Sequence, residues 1–322
     1  MNIDKYLEVI NACRFCFMCR HLATLGNVTF KEADTPRGRA LIMDRIRMDK
    51  SNLADPDYIN TIYEATLSAA CRYHCVNHYD ETGLLPAVRR DIVEAGLAPD
   101  KVKKLAEELA QVEFKVEGKG NVLYYLDPYS KNADAFPQCK VISGGDTGKA
   151  LDVLGFKVES EKVFAKFKSA VESSGCKTLV TSCPASYDML KNKLDNIKVM
   201  HSSEYFSDNE LPKLNVKAYY LDSDYLKNYC GNPATPRELL KKCGYELKPF
   251  GTNPEESYAA GEGAVIYDRL NPELAEKLCL RIAESADDLL ITASPYTKYV
   301  LNKYAPQLNV ISIEEAIGRQ PV

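Results

Sequence analysis

The sequence predicts a multi-domain α+β protein in which a helical N-terminal domain precedes two duplicated α/β units. Its 322 residues exceed what one ordinary hydrophobic core holds. Apolar residues recur at helical spacing through the first hundred residues, whereas short β-rich runs alternate with helical runs from Gly118 onward. The second half of this alternation repeats the order of the first. We therefore expect domains at 1–115, 116–212 and 213–322.

The N-terminal domain is predicted to be helical throughout. Residues 2–23 and 58–75 both show apolar residues at helical spacing, although each run contains several cysteines. The run 85–97 ends in a glycine that is soon followed by a proline, which is typical of a helix stop. Residues 101–115 predict a charged, exposed helix that leads out of this domain.

The rest of the chain is expected to form parallel α/β units. In the first unit we expect strands at 121–127, 139–143, 177–182 and 197–202, with a helix at 159–175. The second unit repeats four elements of the first in the same order: 216–222 matches 121–127, the glycine loop 259–264 matches 143–148, 288–303 matches 177–192, and 309–317 matches the run that begins at 197. Because four elements recur in one order, an internal duplication is favoured over chance similarity, with a linker at 207–214.

Composition and charge restrict the classes of function. The net charge is −4, the pI is near 5.8, and no block of Lys or Arg offers a basic face for nucleic acid. The N-terminus lacks the apolar segment of a signal peptide, and no apolar run approaches the length of a membrane span. We therefore expect a cytoplasmic protein without a membrane span that does not bind nucleic acid.

The cysteines indicate a metal centre. Five of the eleven lie in the first quarter of the chain, and Cys13, Cys16 and Cys19 form a C-x2-C-x2-C motif. In two-cluster ferredoxins the fourth thiolate of each cluster comes from the other motif, and Cys75 occupies that position here. We expect one 4Fe–4S cluster on these four residues. A zinc site and unrelated structural thiols remain alternatives.

The partner cluster of such a pair is absent by the same reasoning. It would need cysteines at positions 23, 65, 68 and 71, and only Cys71 is present. One cluster site therefore has all four ligands, and the other has lost three of its four. Cys71 is then a remaining thiol, expected to pack beside the intact cluster.

These residues resemble a known family. The segments CRFCFMCRHLA, TPRGRALIM, CRYHCVN and AVRRDIVEAG resemble the N-terminal domain of iron–sulfur subunits of glycolate oxidase, lactate utilisation proteins and heterodisulfide-reductase-like oxidoreductases. The resemblance implies an α-helical ferredoxin-like domain followed by two CCG-like units with pseudo-twofold symmetry. It also implies a hetero-oligomer in which the partner is an FAD-linked flavoprotein subunit or another redox protein.

The chain would be a degenerate member of that family. The cysteine-rich CCG triplets stand here as Ser143-Gly144-Gly145 and Ala259-Ala260-Gly261, so the unusual clusters of the duplicated units are expected to be lost. Arg37 and Arg39 match the family's pattern after the cysteine motif. We expect them to contact the cofactor and raise its reduction potential, or else to be surface arginines at the start of a helix.

The two α/β units, in which the cysteine triplets are replaced, suggest a second candidate site. Ligands of parallel sheets bind beyond the carboxyl ends of the strands, where glycine-rich loops allow close approach. We therefore expect a pocket where the two units meet, or, alternatively, inherited turns without a ligand. Its predicted lining is Asp127, Gly144, Gly145, Cys183, Asp222, Gly261 and Glu262.

Two functions from different classes follow. The first is an electron-transfer subunit of a flavin-linked oxidoreductase complex, itself non-catalytic, that relays electrons through its one cluster. The alternative is a non-catalytic subunit that binds a partner or small ligand and uses the cluster only structurally. An enzyme with Cys183 as nucleophile is a weaker third reading, because no histidine base is evident beside it in the sequence.

Overall fold

A computed structural model describes residues 1–72, 74–130, 133–209, 211–248 and 258–318. Position 73 of the predicted helix 58–75 and position 210 of the predicted linker lie outside these residues. The fold is mixed α/β with two separate sheets, which confirms the predicted α+β class at that level. None of the helices in the described ranges is long and apolar enough to cross a membrane.

The first 114 residues, here called the helical region, contain no strand among the residues described. Helix α3 begins after Thr35, whose hydroxyl accepts the Gly38 N–H, and α5 begins after Asp80, which accepts the Thr82 N–H. The helices of this region are α1 Leu7–Ala12, α2 Gly26–Thr29, α3 Pro36–Met48, α4 Pro56–Glu64, α5 Glu81–Glu94 and α6 Asp100–Ala110, with 3₁₀ turns at Asn2–Tyr6, Glu32–Asp34 and Lys50–Ala54.

Both cysteine-bearing runs depart from the predicted helices. Helix α1 ends at Ala12 and α4 at Glu64, so every cysteine of the region lies in loops and turns. Phe15, Leu67 and Ala69 take positive φ values near 54° in these loops, a conformation that breaks a helix. The sequence periodicity failed here because a regular helix would spread the thiols along its axis instead of turning them towards one point.

The first α/β unit follows the helical region. Its five-stranded sheet has the order β1-β3-β2-β4-β5, in which β1 is antiparallel and the other strands are parallel. The strands are β1 Lys115–Glu117, β2 Val122–Tyr125, β3 Lys140–Ser143, β4 Thr178–Thr181 and β5 Lys198–His201, and the helices are α7 Lys149–Leu154, α8 Lys157–Ser173, α9 Pro184–Lys193 and α10 Ser202–Tyr205.

The second α/β unit carries a four-stranded parallel sheet of order β7-β6-β8-β9. Its strands are β6 Val216–Leu221, β7 Tyr245–Lys248, β8 Leu290–Thr292 and β9 Val310–Ser312. Its helices are a π-helical turn at Tyr225–Tyr229, a 3₁₀ turn at Glu262–Ala264, and α11 Ala234–Lys242, α12 Tyr267–Leu270, α13 Pro272–Ser285, α14 Pro295–Tyr304 and α15 Ile313–Ile317. The four parallel strands of each unit therefore share one order.

When the two sheets are aligned by their strand pairing, β6 is shifted by one residue relative to the alignment of the two units that the sequence repeat predicts. Tyr125 of β2 pairs with Thr181, whereas Leu221 of β6 pairs with Thr292, the counterpart of Thr181. Asp127 therefore corresponds to Ser223 and not to Asp222. Because successive strand residues point to opposite faces, this shift of one residue reverses the direction of the side chain.

The helical region and both α/β units share one hydrophobic core. This core includes Ile62 and Val88 from the helical region, Leu154 from the first unit, and Leu270 and Leu301 from the second. Helix α6 contributes Val102, Leu105 and Ala106, which are buried. The prediction that this helix is exposed was therefore wrong on one face, because the α/β units cover it.

Candidate functional site

One small cavity in the helical region collects the cysteines that the sequence singled out. Cys13, Cys16 and Cys19 line it from the loop that follows α1, and Cys75 and Cys71 line it from the turns that precede α5. Cys16 is exposed, Cys71 is buried, and the other three are half-buried. The four predicted ligands are thus brought to one place from segments about sixty residues apart, with the fifth thiol beside them.

Backbone amides orient two of these sulfurs. The Phe15 N–H donates to Cys13 Sγ at 3.4 Å, and the Tyr79 N–H donates to Cys75 Sγ at 3.3 Å. Hydrogen bonds of this kind fix the direction of a metal-binding side chain and stabilise its anionic form.

Burial dominates the electrostatics of the thiols that line this cavity. Burial raises the pKa of the Cys13 and Cys19 thiols and raises that of Cys71 well above its usual value. A desolvated thiol stays protonated unless positive charge replaces the lost solvation. Metal at this place would supply that charge, which fits a cofactor that binds thiolates.

The two arginines of the TPRGR segment have different surroundings. Arg37 lines the cavity, pairs with Glu32 at 2.6 Å, and lies over the Phe17 ring at 4.1 Å. Arg39 is buried, pairs with Glu81, and donates to the Asp34 carbonyl at 3.0 Å. Among the described residues Arg39 is not part of the lining, and its guanidinium ties α3 to the first turn of α5.

The donor set can be compared with the two metal types considered above. No three His, Cys, Asp or Glu side chains of the described ranges lie close enough together to hold a single metal ion. A cubane binds each thiolate through a different iron, so its ligands surround a larger volume than the ligands of one ion do. Tyr79 also lines the cavity, and its buried hydroxyl has no hydrogen-bond partner among the residues that the structure describes.

Three of the four positions at which a second cluster would need cysteines carry other residues that pack into the protein interior. Ala23, Ala65 and Ser68 are buried, and the hydroxyls of their neighbours Thr24 and Thr66 lie 3.1 Å apart. The second α/β unit then covers this segment from outside. Its Asn228 amide donates to the Ser68 carbonyl at 2.7 Å, and its Tyr229 hydroxyl donates to the Leu67 carbonyl at 2.6 Å.

The second candidate site is divided between two separate polar clusters. In the first unit, the buried Asp127 carboxyl interacts with the buried Cys183 thiol and with the Asp146 carboxyl. Burial raises the pKa of Asp127 to about 6 and that of Cys183 well above its usual value. Cys183 is therefore a neutral thiol, and the structure gives no support for its use as a nucleophile.

The glycines of the first unit are covered by the chain itself. A Cβ on Gly144 would stand 1.9 Å from the Glu113 carbonyl oxygen, and one on Gly145 would stand 2.4 Å from a Val112 methyl. Their positive φ values, 131° and 146°, belong to a turn packed beneath the segment that leaves α6. These glycines thus leave no open approach for a ligand.

The second unit holds the matching cluster with different chemistry. Glu262 is buried and accepts from the Ser223 hydroxyl at 2.8 Å and from the Asp224 N–H at 2.6 Å, and Ser294 is a further neighbour of the carboxyl. Burial raises the pKa of Glu262 to about 7 and that of Asp224 well above its usual value. Ser223, Glu262 and Ser294 thus replace Asp127, Asp146 and Cys183 of the first unit.

Asp222 and Gly261 do not line a shared pocket with these groups. Asp222 points away and forms a two-point ion pair with Arg237, at 2.7 and 3.1 Å, with Lys227 at 3.8 Å. A Cβ on Gly261 would stand 2.5 Å from the Tyr267 ring. Sequence reasoning missed Ser223, Asp224 and Ser294, which only the one-residue shift in register identifies.

His201 lies near this region without facing the thiol. Its Nε2 is 3.3 Å from the Ser182 carbonyl oxygen and its Nδ1 is 2.9 Å from the Ser203 hydroxyl. Burial lowers its pKa, so the ring is neutral. The histidine satisfies backbone groups where the two units meet.

Comparisons with known proteins give the fold alone. No family model and no curated protein matches the chain. The chain is similar to the structure of a hypothetical protein from Helicobacter pylori, with a TM-score of 0.54 and 11% identity, covering 93% of this chain and 71% of that one. A Picrophilus torridus aspartate racemase gives a TM-score of 0.34 at 11% identity, over 62% of this chain and 91% of that one, and carries no argument.

Proposed function

We propose that the protein is a non-catalytic electron-transfer subunit that holds one 4Fe–4S cluster on Cys13, Cys16, Cys19 and Cys75. The observation that carries this proposal is that these four thiols line one cavity, although two different loops supply them. A cubane bound there would accept and release one electron at a time. The duplicated units would serve as scaffold, because the cysteines of their family counterparts are replaced.

The family assignment rests on the same features. The helical region would be a ferredoxin-like domain, and the two units that share a strand order would be CCG-like repeats related by pseudo-twofold symmetry. The buried alanines at positions 23 and 65 support the loss of the second cluster. The chain would then work in the cytoplasm as part of a hetero-oligomer.

Apolar side chains around the cavity support a docked redox partner. Phe15, Phe17, Met18 and Val76 are 40%, 60%, 50% and 65% exposed, and they come from the same loops as the cysteines. Exposed apolar residues grouped in this way are typical of interaction surfaces. An FAD-linked flavoprotein subunit or another redox protein that covers them would bring its own redox group close to Cys16.

The first experiment measures iron, sulfide and EPR spectra anaerobically, before and after dithionite. We expect near four irons per chain in the wild type and in Cys71→Ser, because Cys71 is outside the proposed ligand set. Cys75→Ser should lose the reduced cubane signal or change it. Zinc in place of iron, or no metal in freshly prepared wild type, would contradict the proposal.

A groove between the two units favours a second candidate, a small-ligand-binding subunit. It encloses about 330 Å³ and lies beyond the ends of β2, β8 and β9, where parallel sheets bind ligands. Its lining consists of Tyr129, Ser130, Pro295, Lys298, Tyr299, Asn302, Lys303 and Ser312. In this case the cluster would be structural, so it would resist reduction by dithionite, whereas an electron carrier would cycle reversibly.

A further inference from the structure

Tyr79 has a buried polar atom for which the described residues offer no partner. The residue is only 3% exposed, and its hydroxyl makes no hydrogen bond to any described residue. A buried hydroxyl without a partner is unfavourable and rare in native proteins. The hydroxyl therefore calls for a partner that none of the described residues supplies.

The charged groups closest to this hydroxyl are already engaged with each other. Arg39 donates to both carboxylate oxygens of Glu81 and, through its remaining nitrogen, to the Asp34 carbonyl. The remaining titratable neighbours of Tyr79 are the thiols of Cys71 and Cys13. Tyr79 itself lines the cavity together with these thiols.

The main chain of Tyr79 is anchored at the same place. Its N–H donates to Cys75 Sγ at 3.3 Å, so the position of the residue is coupled to a proposed ligand. The backbone of Tyr79 thus contacts a proposed ligand, and its side chain lines the same cavity.

We propose that Tyr79 is a positioning residue whose hydroxyl donates a hydrogen bond to the sulfur of the bound cluster or of a cysteine that holds it. This inference rests on the proposed cluster. A donor next to sulfur stabilises the form that carries more negative charge, because the hydrogen bond strengthens with the charge of its acceptor. The hydroxyl therefore favours the reduced state and raises the reduction potential.

The test is the midpoint potential of Tyr79→Phe, measured by EPR-monitored titration of the iron-loaded full chain. The substitution removes one oxygen and keeps the ring. We expect the equilibrium between reduced and oxidised protein to shift roughly tenfold towards the oxidised form, which for one electron is a fall of about 59 mV. Tyr245→Phe, whose hydroxyl donates to the Ala316 carbonyl in the second unit, should leave the potential unchanged.

Global replacement of tyrosine by 3-fluorotyrosine is the complementary measurement. Fluorine makes the phenol a stronger donor while the hydroxyl stays in place, so the potential should rise, and the rise should be absent in Tyr79→Phe. If Tyr79→Phe fails to fold, fluorotyrosine in the wild type decides the question alone. An unchanged potential in both experiments, with four irons present, overturns the inference and leaves the proposed function intact. Wild type without iron would instead defeat the proposed function.

Discussion

Two aspartates show how strongly the function of a residue depends on the face to which it points. Asp127 and Asp222 end two strands with similar sequences, LYYLD and AYYLD. The first points inward to Cys183, and the second forms a two-point ion pair with Arg237 near the surface. A displacement of one residue along a strand accounts for this difference.

The inward-pointing aspartate predicts a pH dependence of stability. Burial raises the pKa of Asp127 from 3.8 to about 6, so the folded protein binds this proton more tightly than the unfolded chain does. The stability that the proton contributes is complete below about pH 4 and is lost as the pH rises through about 6. The full contribution is about 3 kcal/mol, of which about 1 kcal/mol is lost between about pH 5 and pH 7.

Asp127→Asn should remove that loss, because an amide does not ionise and its oxygen can still accept the Tyr129 N–H. The measurement is the guanidinium midpoint of the iron-loaded chain at several pH values between about 5 and 7. The control Asp222→Asn retains Asp127 and should retain the wild-type slope. Equal slopes in Asp127→Asn and wild type would show that this carboxyl is not desolvated.

Among the elements, the glycine-rich loops differ most from the function expected of them. The loop at 259–264 was predicted to approach a ligand, and instead it approaches the helical region. Gly263 lies so close to the cysteine-bearing segment that a Cβ would stand 2.1 Å from the Leu67 carbonyl oxygen. The glycine is therefore required for contact between two parts of the chain.

Gly263→Ala should accordingly lower the free energy of unfolding by about 1 to 3 kcal/mol, because the clash is with backbone that cannot rotate away. It should also displace the Leu67–Ser68 segment that leads to Cys71 and Cys75. Guanidinium denaturation and iron content of the purified chain measure the two effects. Gly318→Ala is the matched control, since its Cβ would meet only ordinary contacts from 3.4 Å. Equal midpoints for the two variants would refute the close approach.

At the scale of the whole molecule, one buried arginine joins the helical region to the first α/β unit. Arg89 is fully buried and donates to the Ile62, Tyr63 and Ala65 carbonyls at the end of α4. It also donates to the Val153 carbonyl of α7 at 3.1 Å. Burial lowers its pKa to about 10, so it stays charged near neutral pH. The terminal carbonyls of two helices thus share one cation.

Arg89→Met should therefore lower the free energy of unfolding by about 3 to 5 kcal/mol, since several buried carbonyls would lose their donor. Chemical denaturation followed by circular dichroism measures this change. Arg45→Met, at an exposed position of α3, removes the same group and should change stability by less than about 0.5 kcal/mol. A similar small effect at both positions would show that water satisfies the carbonyls around Arg89.

Much of this organisation follows from local sequence patterns. All seven strands expected from β-rich runs are present, because short buried strands of parallel sheets are apolar throughout their length. The edge strands β1 and β7 were missed, since each is short and carries charged residues at its exposed positions. The spacing of the cysteines also singled out four residues that share one cavity, because a C-x2-C-x2-C loop keeps three thiols within a few residues.

Only the tertiary structure decided how these elements meet. The loops that carry the cysteines replace predicted helices, because convergence on one cavity requires positive φ values that periodicity does not reveal. The direction of Asp127 and Asp222, the chain packed on Gly144 and Gly263, and the Tyr79 hydroxyl, which has no partner among the described residues, all depend on residues distant in sequence. The sequence by itself determined which cysteines are grouped closely along the chain and where most strands form, since both depend on near neighbours. Long-range packing decided which faces of the helices and strands meet. It thereby also decided the surroundings of every candidate site residue.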